Sequence, residues 1–283
     1  MQRILSLLLI LLLLQVDSFS QVVEGVIEDA ATQEGLAYVN IGVVGKDVGT
    51  VSDLSGNFRL DIDERYNQDT LKVSMVGYQS RSFGVADFRK QLQNNPTITL
   101  TEALATLQEV VIEGDRYRGR KLREKILGNT DAGPGSQTLF KANQLGNEMG
   151  ILMKVKRNPT FVQEFKIYVT ENKYDTFTFR LNFYSVKKGL PDKNLLSENI
   201  ITSFSKPEGE IKVDLREYNI VLEDDVIVTM EWIENLGKYG LAFASESGTR
   251  SHTVSRQTSQ GKWKKTEKTA YNIGIGITLK VLQ

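Results

Sequence analysis

Side chains alternate between apolar and polar with a period of two almost from one end of this chain to the other, and that pattern constrains its fold more than any single motif. Phe161, Gln163, Phe165, Ile167 and Val169 share one phase, with Val162, Glu164, Lys166 and Tyr168 on the other. Phe177, Phe179, Leu181 and Phe183 alternate in the same way with Thr178, Arg180, Asn182 and Tyr184. Successive side chains on a strand point to opposite faces, so a period of two means half-buried β-structure. Residues 22–112 read as seven short strands about ten residues apart, the spacing of a sandwich and not of a parallel α/β sheet. The turn Asp53-Leu54-Ser55-Gly56-Asn57 supplies an aspartate able to bond the backbone two residues on, then a glycine for positive φ. Residues 114–129 break the period: Leu122, Ile126 and Leu127 stand at helical spacing with Gly128 as the expected stop, which predicts a short connecting helix. Residues 129–136, with Gly133-Pro134-Gly135, read as a loop. From Leu139 onward eight or more strands are expected, with proline confined to connections, which describes a second antiparallel sandwich or jelly roll.

The first twenty residues stand outside this pattern. One cation, Arg3, precedes an apolar run from Ile4 to Leu14 broken only by Ser6, and a more polar stretch closes with Ser18 and Ser20. This is the arrangement of a secretory signal peptide, with cleavage expected between Ser20 and Gln21. The run at 4–16 is shorter than the roughly 20 residues that span a bilayer as a helix. The expected organisation is therefore a signal at 1–20, a sandwich at 21–114, a helix and linker at 115–135 and a second sandwich at 136–283. The chain is expected to cross the inner membrane and to reside in the periplasm or at the outer-membrane surface.

Composition excludes whole classes of chemistry. The 283 residues include no cysteine and one histidine, His252, so thiolate nucleophiles, iron–sulfur clusters and zinc sites built on Cys or on several His cannot be assembled. Thirty-five cations balance thirty-five anions, which gives no global field to gather nucleic acid. The local excess of Arg116, Arg118, Arg120, Lys121, Arg123 and Lys125 lacks interleaved aromatics and reads as a solvated face. Asp53, Ser55 and Asn57 repeat half of a calcium loop, but Arg59 stands just beyond and the closing carboxylate is missing, so a hairpin turn is expected. The acidic stretch Glu223-Asp224-Asp225, with Asp214 and Glu217 nearby, is read as a solvated turn, its alternative being a carboxylate pair for hydrolysis. No Gly-x-Ser-x-Gly elbow surrounds any serine. The expectation is a protein with no catalytic residues, cofactor or metal. Tyr168, Tyr184, Trp232 and Trp263 are the candidate ligand-binding residues, because sandwiches bind sugars by stacking exposed rings.

The first sandwich resembles the carboxypeptidase regulatory-like family, a transthyretin-like seven-stranded sandwich. The resemblance rests on Gly25-Val26-Ile27-Glu28-Asp29, on Thr32-Gln33-Glu34-Gly35-Leu36-Ala37-Tyr38-Val39-Asn40-Ile41, and on Gly49-Thr50-Val51-Ser52-Asp53-Leu54-Ser55-Gly56-Asn57-Phe58. It continues through Leu71-Lys72-Val73-Ser74-Met75-Val76-Gly77-Tyr78 to Leu107-Gln108-Glu109-Val110-Val111-Ile112. It implies a module like the extension that precedes the plug of many TonB-dependent outer-membrane receptors, one that is not itself a peptidase. The second half, through Gly146-Asn147-Glu148-Met149-Gly150 and Phe179-Arg180-Leu181-Asn182-Phe183-Tyr184, is similar to uncharacterised two-domain exported bacterial proteins. The expected function is an exported, non-enzymatic binding or interaction protein of the envelope, its partner a glycan, a peptide or an outer-membrane receptor. Two alternatives stand beside it. One is a small outer-membrane barrel or uptake accessory, suggested by the alternation of Tyr271, Ile273, Ile275, Ile277, Leu279 and Val281. The other is a carboxylate-dependent hydrolase.

Overall fold

The computed structural model describes residues 20–103, 122–129, 133–139, 143–156, 159–205, 208–237, 240–246, 252–266 and 272–282. Residues 1–19 of the expected signal at 1–20, residues 109–112 and the cations at 116–121 lie outside them.

The first sandwich contains β1 (Ser20–Asp29), β2 (Asn40–Val43), β3 (Gly49–Val51), β4 (Asn57–Asp63), β5 (Thr70–Ser74), β6 (Arg81–Gly84), the helix α1 (Val85–Asn94) and β7 (Thr97–Leu100). One sheet has the order β4-β1-β7 and the other β3-β2-β5-β6. β1 runs antiparallel to β4 and parallel to β7. Alternation decides what is buried: Phe58, Leu60 and Ile62 of β4 turn inward while Asn57, Arg59 and Asp61 stay exposed. The Asp53 turn forms as expected, its Oδ1 accepting from the backbone N–H of Ser55 and of Asn57, each at 2.9 Å, with Gly56 at φ +82°. The helix α1 lies where no helix was expected. Its signal is present at short range, since Val85, Phe88, Arg89 and Leu92 recur at i, i+3, i+4 and i+7 and are its buried residues.

The second sandwich has two larger sheets. Its strands are β8 (Leu122–Gly128), β9 (Gly133–Leu139), β10 (Glu148–Met153), β11 (Thr160–Asn172), β12 (Phe177–Lys187), β13 (Leu190–Asn194), β14 (Ile200–Phe204) and β15 (Gly209–Asp214), followed by β16 (Val221–Leu222), β17 (Val226–Trp232), β18 (Leu241–Glu246), β19 (Thr253–Arg256), β20 (Lys264–Lys265), β21 (Asn272–Ile273) and β22 (Ile275–Leu282). One sheet runs β13-β12-β17-β10-β19-β20 with β14 on β12; the other runs β21-β18-β11-β22-β8 with β15 and β16 on β11 and β9 on β18. The core between them includes Phe165, Phe177, Phe179, Phe183, Trp232 and Phe243. Ile273, Ile275, Ile277, Leu279 and Val281 face this interior, at most 3% exposed, so the terminal alternation that suggested a lipid-facing barrel points inward.

Two expectations are corrected here. The described part of the expected connecting helix is β8, paired antiparallel with β22 from Leu122 opposite Leu282 to Gly128 opposite Gly276. Leu122, Ile126 and Leu127 fit either period over so short a run, and the buried strand β22 offers a ladder edge that outweighs weak helical propensity. Gly128 is therefore not a helix stop. It has φ +108° and lies so close to β22 that a Cβ would run into the carbonyl oxygen of Ile275. The expected loop at 133–136 is likewise part of β9, which pairs with β18.

The residues that carry the family resemblance have structural tasks. Asp29 closes β1: its Oδ1 accepts from the backbone N–H of Ala31 at 2.7 Å and Thr32 at 2.9 Å, and its Oδ2 accepts from the Tyr78 hydroxyl at 2.9 Å. These bonds hold the Asp29 carboxyl below its ordinary value. Burial, with the Asp29 bond next, pushes the Tyr78 phenol up to about 12. A phenol whose folded value is raised contributes stability that is complete below its unfolded value near 10 and is lost as pH rises toward 12. Tyr78→Phe should accordingly lower Tm at pH 8, and the difference from the parent chain should shrink between about pH 10 and 12. Thermal melts by circular dichroism at those pH values check this; a difference that stays constant would show that the titration is not linked to folding.

Candidate functional site

β17 reads Val-Ile-Val-Thr-Met-Glu-Trp, and all seven residues are buried. A strand with apolar residues on both phases is covered on both faces. One phase, Val226, Val228, Met230 and Trp232, fills the core, so Thr229 and Glu231 lie buried under the opposite cover. At Arg180 that cover includes Tyr38 and Asn40 of the first sandwich.

Register carries the charge row across four strands. Arg180 on β12 stands opposite Glu231 on β17, Glu231 opposite Glu148 on β10, and Glu148 opposite Arg256 on β19. The glutamates are 0% exposed, Arg180 1% and Arg256 8%. Arg180 Nε donates to Glu231 Oε2 at 2.9 Å, and Arg256 Nη2 lies 2.6 Å from Glu148 Oε2 and 3.6 Å from Glu231 Oε1. Asn182 Nδ2 donates to both carboxylates, at 3.0 Å each, and the Thr229 hydroxyl donates to Glu148. Gly150 lets β10 lie close against β17, because a Cβ there would strike the backbone of β17 at Val228 and Thr229.

The electrostatics follow from burial. Desolvation pushes the Glu148 carboxyl up, opposed by the Arg256 guanidinium and reinforced by the neighbouring Glu231. Burial likewise raises the Tyr184 phenol, with Glu148 adding to it. Arg256 is desolvated too, but the Glu148 and Glu231 carboxylates more than compensate and hold it charged. Two cations against two anions make the row neutral as a whole, which is what permits ions to be buried together.

The row also reaches across to the first sandwich. Arg180 Nη1 donates to the Tyr38 carbonyl at 2.7 Å and Nη2 to Asn40 Oδ1 at 2.8 Å. Tyr38 has φ +61°, a left-handed conformation unusual for a bulky residue. Its ring packs with Val51 and Ile233, and its hydroxyl donates to Glu234 Oε1 at 3.4 Å. A segment after β19 clasps the same domain: Ser259 Oγ donates to Asn40 Oδ1, Gln260 Nε2 to Ser74 Oγ and Lys264 Nζ to Asp47 Oδ2, at 2.9, 2.8 and 3.4 Å.

Beside this contact the two sandwiches leave an open groove of about 1290 Å³. Strands β3 and β4 with their connecting turn form one wall, and residues 143–145, 233–235 and 257–258 the other. No member of the charge row lines it.

The candidate ring residues are dispersed. Tyr184 and Trp263 meet edge to face at 5.9 Å, and the Arg256 guanidinium lies 5.0 Å over the Trp263 ring, so both serve the charge row. Trp232, 1% exposed and stacked on Phe177, offers no face to a ligand. Tyr168 sits half-buried on the other sheet, opposite Glu210. None of the four lines the groove. Gln21 is paired within β1, opposite Ile62. The acidic stretch is not gathered into a site: Asp225 Oδ1 accepts from the Val155 backbone N–H at 3.0 Å, and Asp214 binds Arg216 and is held at about 2 by it. No group of three or more metal-ligating side chains occurs among the described residues.

The fold and the motif residues of the first sandwich agree with one family, whose sequence pattern covers residues 23–112. Those residues are a CarboxypepD_reg-like domain. Over 116 residues the chain is 33% identical to the TonB-dependent receptor SusC of Bacteroides thetaiotaomicron, which is 40% of this chain and 10% of the receptor. The chain thus spans about a tenth of that relative's length. Among solved structures, the cysteine protease and lectin-like domains of Cwp84 of Clostridium difficile align with 56% of this chain and 36% of theirs, at 13% identity and a TM-score of 0.41. Cwp84 after propeptide cleavage aligns with 93% of this chain and 65% of its own, at 10% identity and a TM-score of 0.41.

Breaking a buried pair strands an uncompensated charge at a cost of about 3–5 kcal/mol, whereas replacing both partners by apolar groups is close to neutral. Arg180→Met should therefore destabilise the chain by about that amount and split one urea transition into two as the CarboxypepD_reg-like domain detaches. The double change Arg180→Met with Glu231→Leu should recover most of the loss. A single variant as stable as the parent chain would show that the row does not hold the sandwiches together.

Proposed function

We propose that this chain is an exported, non-enzymatic interaction protein of the bacterial envelope, in which the CarboxypepD_reg-like domain and the second sandwich act as one rigid unit presenting the groove between them. The observation that carries this reading is the buried charge row, whose Arg180 also donates to Tyr38 and Asn40 of the first sandwich, with an open groove between the sandwiches. A catalytic carboxylate pair needs access to substrate and solvent. Here the two glutamates brought side by side are fully buried and occupied by guanidinium and amide donors. Kinship of the first domain with a segment of a TonB-dependent receptor supports an envelope location, and the apolar run before Ser20 supports export.

Fractionation of native cells tests the reading, with a carbonate wash of the envelope and mass spectrometry of the N-terminus. The expected result is a chain beginning at Gln21 that the wash releases. A chain that resists carbonate would replace this reading with an integral membrane protein, and turnover in a glycosidase and peptidase screen would overturn its non-enzymatic character.

A further inference from the structure

We infer that a cavity at the edge of the second sandwich, between β8 and the segment that follows β10, binds a small organic anion with an apolar body of about six to eight carbons, in the manner of a medium-chain carboxylate. The site lies apart from the groove and goes beyond the reading proposed above.

The first observation is an inverted strand. A half-buried strand ordinarily turns its apolar phase to the core and its charged phase to water. Register sets Arg123 opposite Val281 and Lys125 opposite Leu279, and Val281 and Leu279 face the core at 3% and 1% exposed. Paired residues share a face, so Arg123 and Lys125 turn to the interior side together with Leu127, which packs on the core. Leu122 and Ile126, 44% and 45% exposed, occupy the other phase. The two cations that read from the sequence as part of a solvated face therefore stand over apolar side chains. Such an arrangement costs desolvation, and a local rule broken without a packing gain is a mark of a functional position.

The second observation is the space beside them. A cavity of about 200 Å³ is floored by Leu127, Leu279 and Val281, and Lys156 joins Arg123 and Lys125 in lining it. Since an apolar cavity of about 150 Å³ accepts benzene, this one admits a short hydrocarbon chain or a single ring. Three cations and no carboxylate line it among the described residues.

The third observation is that these charges are uncompensated. None of the three cations belongs to an ion pair among the described residues. Glu124 lies on the outward phase of β8, with Leu122 and Ile126. The acidic turn 223–225 follows β16, which β11 and β22 separate from β8, and its Asp225 is taken up by the Val155 backbone N–H at 3.0 Å. A carboxylate at the cavity would meet one guanidinium and two ammonium groups, whose charge-assisted bonds are stronger than neutral ones. Its hydrocarbon body would cover the apolar floor, and a cation of the same shape would be repelled.

The test uses the full chain with octanoate as the probe, read by isothermal titration calorimetry and by the rise in Tm that a ligand of the folded state produces. Octanoate should bind and raise Tm. Octylammonium, with the same body and the opposite charge, should not bind, and acetate, with the head alone, should bind about tenfold more weakly or less. Arg123→Gln combined with Lys156→Gln should weaken octanoate about tenfold or more. Lys154→Gln, which removes an exposed cation outside the cavity, should leave binding unchanged. Equal binding of octanoate and octylammonium would overturn the anionic character of the ligand, and equal binding of octanoate and acetate would overturn its apolar body. An equal loss from Lys154→Gln would reduce the effect to surface charge and overturn the cavity as the site. Retention on phosphatidylglycerol vesicles of a chain that ignores octanoate would overturn the small ligand in favour of a membrane surface. The ligand comparisons need no variant, so they decide the matter even where the double variant fails to fold. Absence of octanoate binding by a chain that carbonate releases would overturn this inference alone and leave the envelope reading standing.

Discussion

Everything distinctive about this molecule depends on burying four formal charges in one line. An ion placed in a low-dielectric interior is costly, and the cost is tolerated only where partners of opposite sign and hydrogen-bond donors surround it. The row Arg180, Glu231, Glu148, Arg256 approaches that condition only with the CarboxypepD_reg-like domain in place, because two of the Arg180 donors are satisfied by Tyr38 and Asn40, while Glu148 Oε2, Glu231 Oε1 and Arg256 Nε have no hydrogen-bond partner and rely on ion pairing. The second sandwich without its cover would leave those donors and a flat polar face to water. The charges therefore act less as a source of stability than as a condition on geometry: one mode of docking satisfies them, and sliding by a residue would not. The left-handed backbone at Tyr38, in the turn before β2, fits this account, since its carbonyl accepts from the Arg180 guanidinium.

The same contact shapes the groove. Tyr38 and Val51 from one wall and Ile233 from the other form a small apolar cluster at the junction, so the two walls meet through side-chain packing as well as through the Arg180 bonds.

Much of the architecture was legible in the residues. The alternation through Phe177 to Tyr184, the Asp53 turn and the motif from Gly25 to Tyr78 led to two all-β sandwiches and to the family of the first. The helix α1 was missed although Val85, Phe88 and Leu92 carry its period, because a strand reading ended just before it and nothing but length separates a short amphipathic helix from a loop. The reading of β8 fails for the converse reason: what makes it a strand is β22, whose paired residues lie 148 to 160 positions away, and no local window holds that information. The charge row escaped because polar residues on the second phase of a strand normally face water. A clue was present in Ile227, which shares that phase with Thr229 and Glu231 and marks a strand covered on both faces. The same rule places Tyr168 and Tyr184 on exposed faces, yet Tyr184 packs edge to face on Trp263, whose ring lies under the Arg256 guanidinium.

The separation of the row's members along the chain also sets an order of events. Arg180 and Tyr38 are 142 residues apart, and Ser259 and Asn40 are 219 apart. Contacts so distant form late, after the chain entropy of the intervening loops has been overcome. As a chain emerges N-terminus first, the CarboxypepD_reg-like domain has a complete apolar core of its own well before Glu231 and Arg256 exist to receive it. Docking then waits on the strands that carry Arg180 and Glu231, and until it occurs the Tyr38 and Val51 patch of the first sandwich lacks Ile233 as its cover.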